Sequence, residues 1–346
     1  MQSEMRVLIV GHGIAGAMLA YFLKKKSAAV SVWDEGTPES ASQIAAGLVN
    51  PITGRRFALS WRFEAFAPFA RQTYRNIEQE TGTRVWSDFD ILRVMDSPET
   101  LNDWAAKIAD PEFGRYAQTT EDSGDWHFFL KKSAGYGRVR EAGRADFPTL
   151  LEALRRWHGR QFEFRNFEPE LLPELIRDYD QIVLCQGAAV ARCPFFGRLG
   201  WHPAKGEALL VRLDASRAPL PRSAVKHKLI LCPLNDGLFW VGSNYDHHFT
   251  HPNPEPSRRA QYVAQLEEML EAPFEIVAHQ AAIRPTVRDR RPIMGRHPHI
   301  ARLSVFNGMG SKGALLAPYW ADQFSDYLLG GTPPPPEVRL ERWHAL

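Results

Sequence analysis

The stretch VLIVGHGIAGAMLAYFLKKK, residues 7–26, joins an apolar run to an alanine-rich segment through a turn that contains three glycines. Residues 7–10 are aliphatic and rich in β-branched side chains, a pattern typical of a strand buried on both faces of a parallel sheet. Apolar residues then recur at helical spacing, and three lysines follow where cations favour a helix C-terminus. The stretch therefore predicts a buried strand, a glycine turn and a helix.

The three glycines of this turn have different predicted roles. Gly11 permits the sharp bend, Gly13 lets the backbone approach a pyrophosphate, and Gly16 lets the helix pack closely on the sheet. The helix N-terminus then presents N–H groups to phosphate. A second apolar strand is predicted at residues 30–33, and Asp34 stands at its end, about 20 residues beyond the glycines, where an acid binds ribose hydroxyls. This order of elements predicts a dinucleotide-binding site.

Length and composition indicate a globular protein with two domains, because 346 residues exceed what one core usually holds. The net charge of +2 provides no global attraction to nucleic acid or membranes and leaves local basic clusters open. Residues 1–4 lack the start of a signal peptide, and no run of about 18 apolar residues occurs. The cysteines, Cys185, Cys193 and Cys232, have neither disulfide nor metal-ligand spacing. We expect a cytoplasmic protein without membrane anchor or metal.

Two later segments of the chain are also predicted to contribute to the cofactor site. Residues 181–184 form an apolar run that leads to Gly187, which predicts a third parallel strand after a helix at residues 171–178. Residues 303–306 form another such run, followed by a loop with Gly308, Gly310 and Gly313 and a long amphipathic helix. A ligand contacted at residues 11–16, 34, 187 and 308–313 must be long, which favours FAD over NAD.

Further motifs occur in a recognisable order along nearly the whole chain. They are ASQIAAGLVNP (41–51), PAKGEALLV (203–211), GLFWVGSNYD (237–246), AAIRPTVRDRRPIMGRHP (281–298) and NGMGSKGALLAP (307–318). With the glycine turn, these motifs resemble the D-amino-acid oxidase (DAO) superfamily of FAD-dependent amine oxidoreductases. The resemblance is to its glycine oxidase branch and to the oxidoreductase domain of the enzyme that modifies the tRNA wobble uridine.

The resemblance implies an α/β fold with a Rossmann-like FAD-binding domain and a discontinuous substrate domain built on an antiparallel sheet. The FAD-binding domain would comprise residues 1–88, 140–195 and 282–330, and the substrate domain residues 89–139 and 196–281. Short apolar runs at 208–211, 229–232 and 238–241, separated by turn residues, independently predict antiparallel strands, and residues 255–272 predict a helix. Residues 331–346 begin with a proline-rich spacer and are expected to form a surface-lying tail.

The resemblance also implies the chemistry. The substrate amine gives a hydride from the carbon beside nitrogen to flavin N5, and water hydrolyses the resulting imine, with O2 or another acceptor reoxidising the flavin. No cysteine lies in the loop at residues 307–313, so FAD is expected to be non-covalent. The expected cofactor-binding residues are Gly11, Gly13, Ile14, Ala15, Gly16, Asp34, Glu35, Ser42, Gln43, Ala46, Gly47, Leu48, Phe167, Gly187, Gly308, Met309, Gly310, Ser311, Lys312 and Gly313.

Four residues are expected at the substrate. Arg284 lies between apolar residues and Pro285 and can hold a carboxylate bidentately, unless it pairs with a structural acid such as Asp289. Lys312 adds charge near the flavin or is a solvated cation at the helix start. Tyr245 replaces a substrate-binding tyrosine of glycine oxidases, where this chain has Ile230, or is a rim residue. Arg55 binds an acidic substrate or belongs to a surface turn.

Alternatives come from other classes of function. One is an oxidoreductase acting on a carboxymethylaminomethyl nucleoside in tRNA, which a basic stripe around residues 288–302 would favour. Another is a flavin hydroxylase that requires NAD(P)H, and the last is a non-catalytic flavoprotein. The partners expected of the amine enzyme are a small amine and an electron acceptor, while nucleic acid and the oligomeric state stay open. We expect the side chain of His12, within the glycine turn, to point to solvent.

Overall fold

The computed structural model describes residues 4–54 and 56–343, which form a mixed α/β fold. The strands are β1 (Arg6–Val10), β2 (Ala29–Asp34), β3 (Leu48–Val49), β4 (Ile52–Thr53), β5 (Ala58–Leu59), β6 (Trp86–Met95), β7 (Ala117–Thr120), β8 (Gly135–Ala145), β9 (Phe162–Phe164), β10 (Gln181–Leu184), β11 (Ala204–Leu213), β12 (Ala224–Lys226), β13 (Ile230–Pro233), β14 (Leu238–Gly242), β15 (Phe274–Arg284), β16 (Ile293–Arg296) and β17 (Leu303–Asn307). The helices are α1 (Ile14–Lys25), α2 (Ala41–Ile44), α3 (Phe63–Thr81), α4 (Pro98–Ile108), α5 (Pro111–Gly114), α6 (Phe147–His158), α7 (Leu172–Asp178), α8 (Pro256–Met269) and α9 (Gly313–Leu328). No helix within the described ranges is long and apolar enough to cross a membrane.

The first sheet contains the glycine turn and has six strands in the order β16-β17-β10-β1-β2-β9. Five of them are parallel, and β16 adds an antiparallel edge. The predicted strand at residues 7–10 lies in the middle, and its first three side chains are completely buried. Because both faces of β1 are covered, its sequence is continuously aliphatic rather than alternating.

The glycine turn leads from β1 into α1, which packs against α9. Gly11 has a φ of +101°, in the region that favours glycine, so the predicted sharp bend is confirmed. The expectation that His12 points to solvent is wrong, since the residue is only 6% exposed. Its ring lies edge-on to Phe162, 5.1 Å between centroids, and near His158, because α6 and β9 cover this side of the turn. Burial, with a smaller effect of Arg155, lowers the pKa of His12 to about 4.

The second sheet has nine strands in the order β15-β11-β14-β13-β12-β6-β8-β3, with β7 paired to β8. Its pairs are antiparallel except β12 with β6. The three predicted strands correspond to β11, β13 and β14, and the predicted helix to α8. Leu209 and Val211 pack with Tyr262 and Leu266, so α8 covers one face of this sheet. The alternate residues Gly206 and Ala208 face the other side, where they line a cleft.

The expected domain boundaries at 88/89, 139/140 and 281/282 fall within β6, β8 and β15, strands that belong to the second sheet along their whole length. The division into domains therefore stays a prediction, with boundaries that would have to move to strand ends. The tail differs from a purely surface-lying segment. Val338 and Leu340 are buried, and Leu340 packs against Gly295 of β16, where a Cβ would lie 2.6 Å from the leucine side chain.

Candidate active site

A cleft of about 2250 Å³ is lined by residues from both sheets. It brings together predicted residues that are far apart in the chain: Gly11, Gly13, Ile14, Ala15, Asp34, Glu35, Ser42, Gln43, Ala46, Gly47, Leu48, Phe167, Gly187, Tyr245, Arg284, Gly308, Met309, Gly310, Ser311, Lys312 and Gly313. Gly16 is not in the lining but lies under the turn, and Arg55 lies outside the described residues. The roles of these residues toward cofactor and substrate stay predictions.

The glycine turn forms one end of the cleft. A Cβ on Gly11 would lie 2.5 Å from the Cys185 carbonyl oxygen, and one on Gly16 would lie 1.8 Å from the Gly11 carbonyl oxygen. Both clashes are with backbone, so these positions require glycine. Ser42 reaches the turn from α2, where its hydroxyl oxygen accepts a hydrogen bond from the Ile14 N–H at 3.0 Å. Ser42 thus both stabilises the glycine turn and lines the cleft.

Asp34 lies at the carboxyl end of β2, beside the glycine turn. Its carboxylate accepts hydrogen bonds from the His12 N–H at 2.5 Å and from the Gly36 N–H at 2.8 Å. These two bonds orient the carboxylate at the cleft wall, as the ribose-binding prediction requires. The neighbouring Glu35 instead accepts a hydrogen bond from the Thr37 hydroxyl at 2.7 Å.

Residues 44–48, which include the expected cofactor-binding residues Ala46, Gly47 and Leu48, are fixed by residues that sequence reasoning missed. Gly47 has a φ of +69°, and a Cβ there would lie 1.8 Å from a main-chain oxygen of β8. Buried Arg144 donates a hydrogen bond to the Ala46 carbonyl at 3.0 Å, and the Trp240 indole donates one to the Ile44 carbonyl at 2.8 Å. Arg144 stands in none of the quoted motifs, and Trp240, although it lies in the motif at 237–246, shows no sequence signal for this contact, since each residue acts through a main-chain oxygen about 100 or more residues away.

Another missed residue, Arg93, supports the hairpin of β4 and β5 above the cleft. It is buried, donates a hydrogen bond to the Gly54 carbonyl at 3.0 Å, and places its guanidinium 4.6 Å from the centre of the Phe57 ring. Burial lowers the pKa of Arg93 to about 10. The sequence alone does not predict that Arg93, an arginine within a strand, contacts Gly54 and Phe57.

The N-terminus of α9 opens into the cleft beside the glycine turn, since a Cβ on Gly313 would lie 2.9 Å from the Ile14 side chain. The residue before the helix, Lys312, makes no side-chain cap, and no acid lies in the first turn. Its Nζ instead donates a hydrogen bond to the Ser60 hydroxyl at 2.8 Å. Burial, with the nearby charges of Arg290 and Arg291, lowers the pKa of Lys312 to about 8. The helix end and the lysine make this side of the cleft electropositive.

Arg284, Ser243, Asn244 and Tyr245 form what we call the arginine clamp. The guanidinium donates hydrogen bonds to the Asn244 carbonyl at 3.0 Å and to the Ser243 hydroxyl at 2.6 Å. The ring of Tyr245, half exposed at the cleft wall, lies 4.5 Å from it. Gly206 makes room for the guanidinium, because a Cβ there would lie 2.0 Å from one of its nitrogens.

Arg284 does not pair with Asp289 in the structure. Asp289 forms an ion pair with Arg342 instead, at 2.7 Å. Within residues 4–54 and 56–343, no carboxylate pairs with Arg284, and burial lowers the pKa of its guanidinium from the usual value. The guanidinium of Arg284 is therefore not neutralised by a carboxylate of the described residues and is available to a negatively charged group that enters the cleft.

The residues present fit a long dinucleotide such as FAD. The first turns of α1 and α9 contain no acid, and neither N-cap residue makes a side-chain cap. The Ile14 N–H is bonded to Ser42, and the remaining N–H groups at these two neighbouring helix starts suit anionic groups such as phosphate. The buried amide oxygen of Gln186, a cleft residue, has no hydrogen-bond partner in the described part of the protein. A polar ligand along the cleft would satisfy these groups.

Comparisons with known proteins agree with this geometry. Residues 6–327 match the family DAO, described as FAD dependent oxidoreductase. The tRNA 5-methylaminomethyl-2-thiouridine biosynthesis bifunctional protein MnmC of Paracidovorax citrulli is 27% identical over 97% of this chain, which spans 59% of that protein. The glycine oxidase of Pseudomonas aeruginosa is 26% identical over 95% of this chain and 96% of its own length.

Solved structures share the fold. Glycine oxidase from Geobacillus kaustophilus superposes with a TM-score of 0.75 at 20% identity, covering 95% of this chain and 96% of its own. Iminodiacetate oxidase from Chelativorans sp. BNC1 superposes with a TM-score of 0.76 at 20% identity, covering 98% of each chain. The predicted fold class and the predicted cofactor, FAD, are thus confirmed. The chain belongs to the DAO family of FAD-dependent oxidoreductases.

Proposed function

We propose that this enzyme oxidises a primary or secondary amine that carries a carboxylate to the corresponding imine, which water then hydrolyses. The observation that carries the proposal is the arginine clamp, in which Arg284 faces the cleft without a carboxylate partner among the described residues. A guanidinium in this state binds a carboxylate through two parallel hydrogen bonds. Carboxylated amines are therefore the substrates that this wall of the cleft favours.

The residues of this chain bind and orient the reactants. Arg284 holds the carboxylate and Tyr245 packs on the guanidinium, while Lys312 supplies a second positive charge in the cleft. The glycine turn with Asp34 and the neighbouring N-terminus of α9 would hold FAD non-covalently. Bound FAD would supply the acceptor for the hydride that leaves the carbon beside nitrogen. The amine nitrogen loses a proton, so the substrate gives up two electrons and two protons in all.

The remaining parts of the proposal concern partners and location. We propose O2 as the electron acceptor and a small molecule as the substrate, without assigning an oligomeric state. Cys185, Cys193 and Cys232 are all buried and unpaired, which is consistent with the reducing cytoplasm as the place where the enzyme acts.

An anaerobic stopped-flow screen of the purified yellow protein tests the proposal. Glycine, sarcosine, iminodiacetate and D- and L-amino acids are each mixed with the enzyme, and the loss of the visible absorbance of the flavin is followed. Methylamine and dimethylamine, which lack the carboxylate, are the matched controls. We expect bleaching by at least one carboxylated amine and much slower bleaching by its control. Bleaching by NADPH alone would assign the enzyme to the flavin hydroxylases or reductases.

A second candidate substrate is a carboxymethylaminomethyl nucleoside in tRNA. Arg288 and Arg290 are exposed at the cleft and Arg291 is half-buried beside them, which gives the entrance a positive charge. Phosphates of RNA would be attracted to this entrance, and the binding would weaken as salt is raised. Titration of the holoenzyme with unmodified tRNA at several salt concentrations tests this candidate. Salt-sensitive binding that is lost in Arg288→Glu favours it, and an absence of binding at low salt excludes it.

A further inference from the structure

Buried polar groups also occur outside the cleft, on the face of the second sheet that α8 covers. Lys205 is completely buried and Glu207 is 1% exposed, and Lys205 Nζ lies 3.4 Å from Glu207 Oε1 and pairs with Glu255 as well. Glu207 Oε2 accepts a hydrogen bond from the Glu255 N–H at 2.9 Å. Breaking a buried ion pair leaves an uncompensated charge, so this cluster holds β11 firmly at residue 207.

Tyr262 of α8 connects this fixed strand to the loop that follows β14. Its side chain is 2% exposed, and its hydroxyl oxygen accepts a hydrogen bond from the Asn244 N–H at 2.7 Å. The single hydroxyl proton can be donated to the Glu207 carbonyl at 3.2 Å or to Asn244 Oδ1 at 3.1 Å. Burial raises the pKa of Tyr262 to about 12, so the hydroxyl keeps this proton at neutral pH.

Asn244 links Glu207 and Tyr262 to the arginine clamp. Its Oδ1 accepts a hydrogen bond from the Glu207 N–H at 2.8 Å, while its carbonyl accepts one from Arg284 at 3.0 Å. Asn244 is therefore held by Glu207 and Tyr262 through its side chain and its N–H, and its carbonyl binds the guanidinium of Arg284 in the cleft. Movement of Asn244 would move an acceptor that orients Arg284.

We propose that Tyr262 is a positioning residue, which orients Arg284 for carboxylate binding through Asn244 although it lies on the opposite face of the sheet. The inference rests on the proposed function, in which Arg284 binds the carboxylate. Tyr262 itself contacts no substrate. Its role is to hold the acceptor that fixes the guanidinium before a ligand arrives, which reduces the ordering that binding requires.

The test measures carboxylate binding directly, without turnover. Glycolate, a carboxylate without an amine, is titrated into the holoenzyme, and its dissociation constant is read from the change in the visible flavin spectrum. Tyr262→Phe removes the hydroxyl and keeps the buried ring, so we expect the glycolate dissociation constant to rise about 3- to 10-fold, the worth of one neutral hydrogen bond. The matched control is Tyr21→Phe, which removes the hydroxyl of a buried tyrosine that bonds to Glu80 on α3. It should bind glycolate as the wild type does.

A double-mutant cycle separates positioning from a general effect on the fold. In an Arg284→Ala background, Tyr262→Phe should have no further effect on glycolate binding, because the group it positions is absent. Asn244→Ala provides a second variant, which should weaken glycolate binding by a similar factor while FAD stays bound. Wild-type binding in Tyr262→Phe, or an equal loss with and without Arg284, would overturn the inference.

The two proposals fail in different ways. If Arg284→Ala leaves the glycolate dissociation constant unchanged, the carboxylate clamp of the proposed function is refuted, and the positioning role with it. If Arg284→Ala weakens binding strongly and Tyr262→Phe does not, only the positioning role is refuted.

Discussion

The glycine turn and the arginine clamp line the same cleft, but they are built from different ranges of the chain. The turn is defined by residues 11–16, with Asp34 only 22 residues from the His12 N–H that donates to it, although the Cys185 carbonyl also packs against Gly11. The clamp joins Arg284 to residues 40 and 41 positions away, and the nearer of these, Asn244, is held in turn by Tyr262 and Glu207. The glycine turn is thus encoded mostly by a local sequence pattern, whereas the arginine clamp depends on long-range contacts.

The largest effect is expected from breaking the packing of the turn. A Cβ on Gly16 would lie 1.8 Å from a main-chain oxygen, whereas one on Gly13 would meet the Ser42 hydroxyl at 3.1 Å. We expect Gly16→Ala to lower the free energy of unfolding by roughly 3 kcal/mol or more and to abolish FAD retention, because backbone must move.

Gly13→Ala is the matched variant for this comparison. It should keep the fold, at a cost below about 1.5 kcal/mol, and weaken FAD binding only, since its Cβ would lie where the backbone meets the pyrophosphate. Urea unfolding and the ratio of bound FAD to protein after gel filtration measure both quantities. Equal losses of stability in the two variants would contradict the local account of the turn.

The next largest effect is expected from removing the clamp. Arg284→Ala should raise the apparent KM for the best carboxylated amine at least about 30-fold, the lower end of the roughly 2–5 kcal/mol lost when a buried charged partner is truncated. Arg284→Lys should raise the apparent KM less than Arg284→Ala does, because a lysine keeps the charge, but it should not restore the wild-type value, because the planar fork is lost. FAD content should stay normal in both variants. Steady-state kinetics with a decarboxylated control amine measures the effect, and an unchanged KM would remove the clamp from the proposed function.

A smaller effect is expected at the ribose end of the cofactor site. Asp34→Ala should raise the FAD dissociation constant about 10-fold or more, because the carboxylate accepts charge-assisted hydrogen bonds. The Asp34 carboxylate also fixes the His12 and Gly36 N–H groups. Asp34→Asn keeps a hydrogen-bond acceptor without the charge, so its FAD dissociation constant should lie between that of Asp34→Ala and that of the wild type. Fluorescence of released FAD during dialysis follows the loss, and full retention in Asp34→Ala would argue against the ribose role.

The smallest effect concerns pH. Because the pKa of Lys312 is lowered to about 8, its positive charge is lost as the pH rises through 8 rather than through the usual 10.5. We expect kcat/KM for iminodiacetate to fall about 3- to 10-fold above pH 8 in the wild type and not in Lys312→Met. Lys228→Met, at an exposed lysine that pairs with Glu268, is the control and should keep the wild-type profile. Parallel profiles for Lys312→Met and the wild type would assign the fall to another group.

The same shift has a consequence for stability. Between pH 8 and 10.5 the unfolded lysine holds a proton that the folded lysine has lost, so the contribution of Lys312 to stability increases as the pH rises across this range. Over this interval the free energy of unfolding of Lys312→Met should therefore rise less, or fall more, with pH than that of the wild type.

The sequence was most informative where a residue's environment is set by its own neighbours. The aliphatic run of β1, the bend at Gly11 and the order of strands around Asp34 were all predictable because they follow from backbone sterics and burial on both faces of a parallel sheet. His12 was mispredicted for the opposite reason. Its burial is produced by α6 and β9, which are more than 130 residues away in the chain.

The sequence by itself determined the parallel sheet and the glycine turn, since both depend on short-range patterns of side-chain size and backbone freedom, and it indicated FAD through motifs spread from residue 11 to residue 313. Only the tertiary structure decided that Asp289 pairs with Arg342, that Arg284 is left facing the cleft, and that Tyr262 supports it from behind the sheet. The first outcome depends on how the C-terminal segment packs, and the other two depend on which strands become neighbours in the second sheet. No local pattern encodes that pairing, because hydrogen bonds to main-chain atoms place no constraint on the identity of the distant residue.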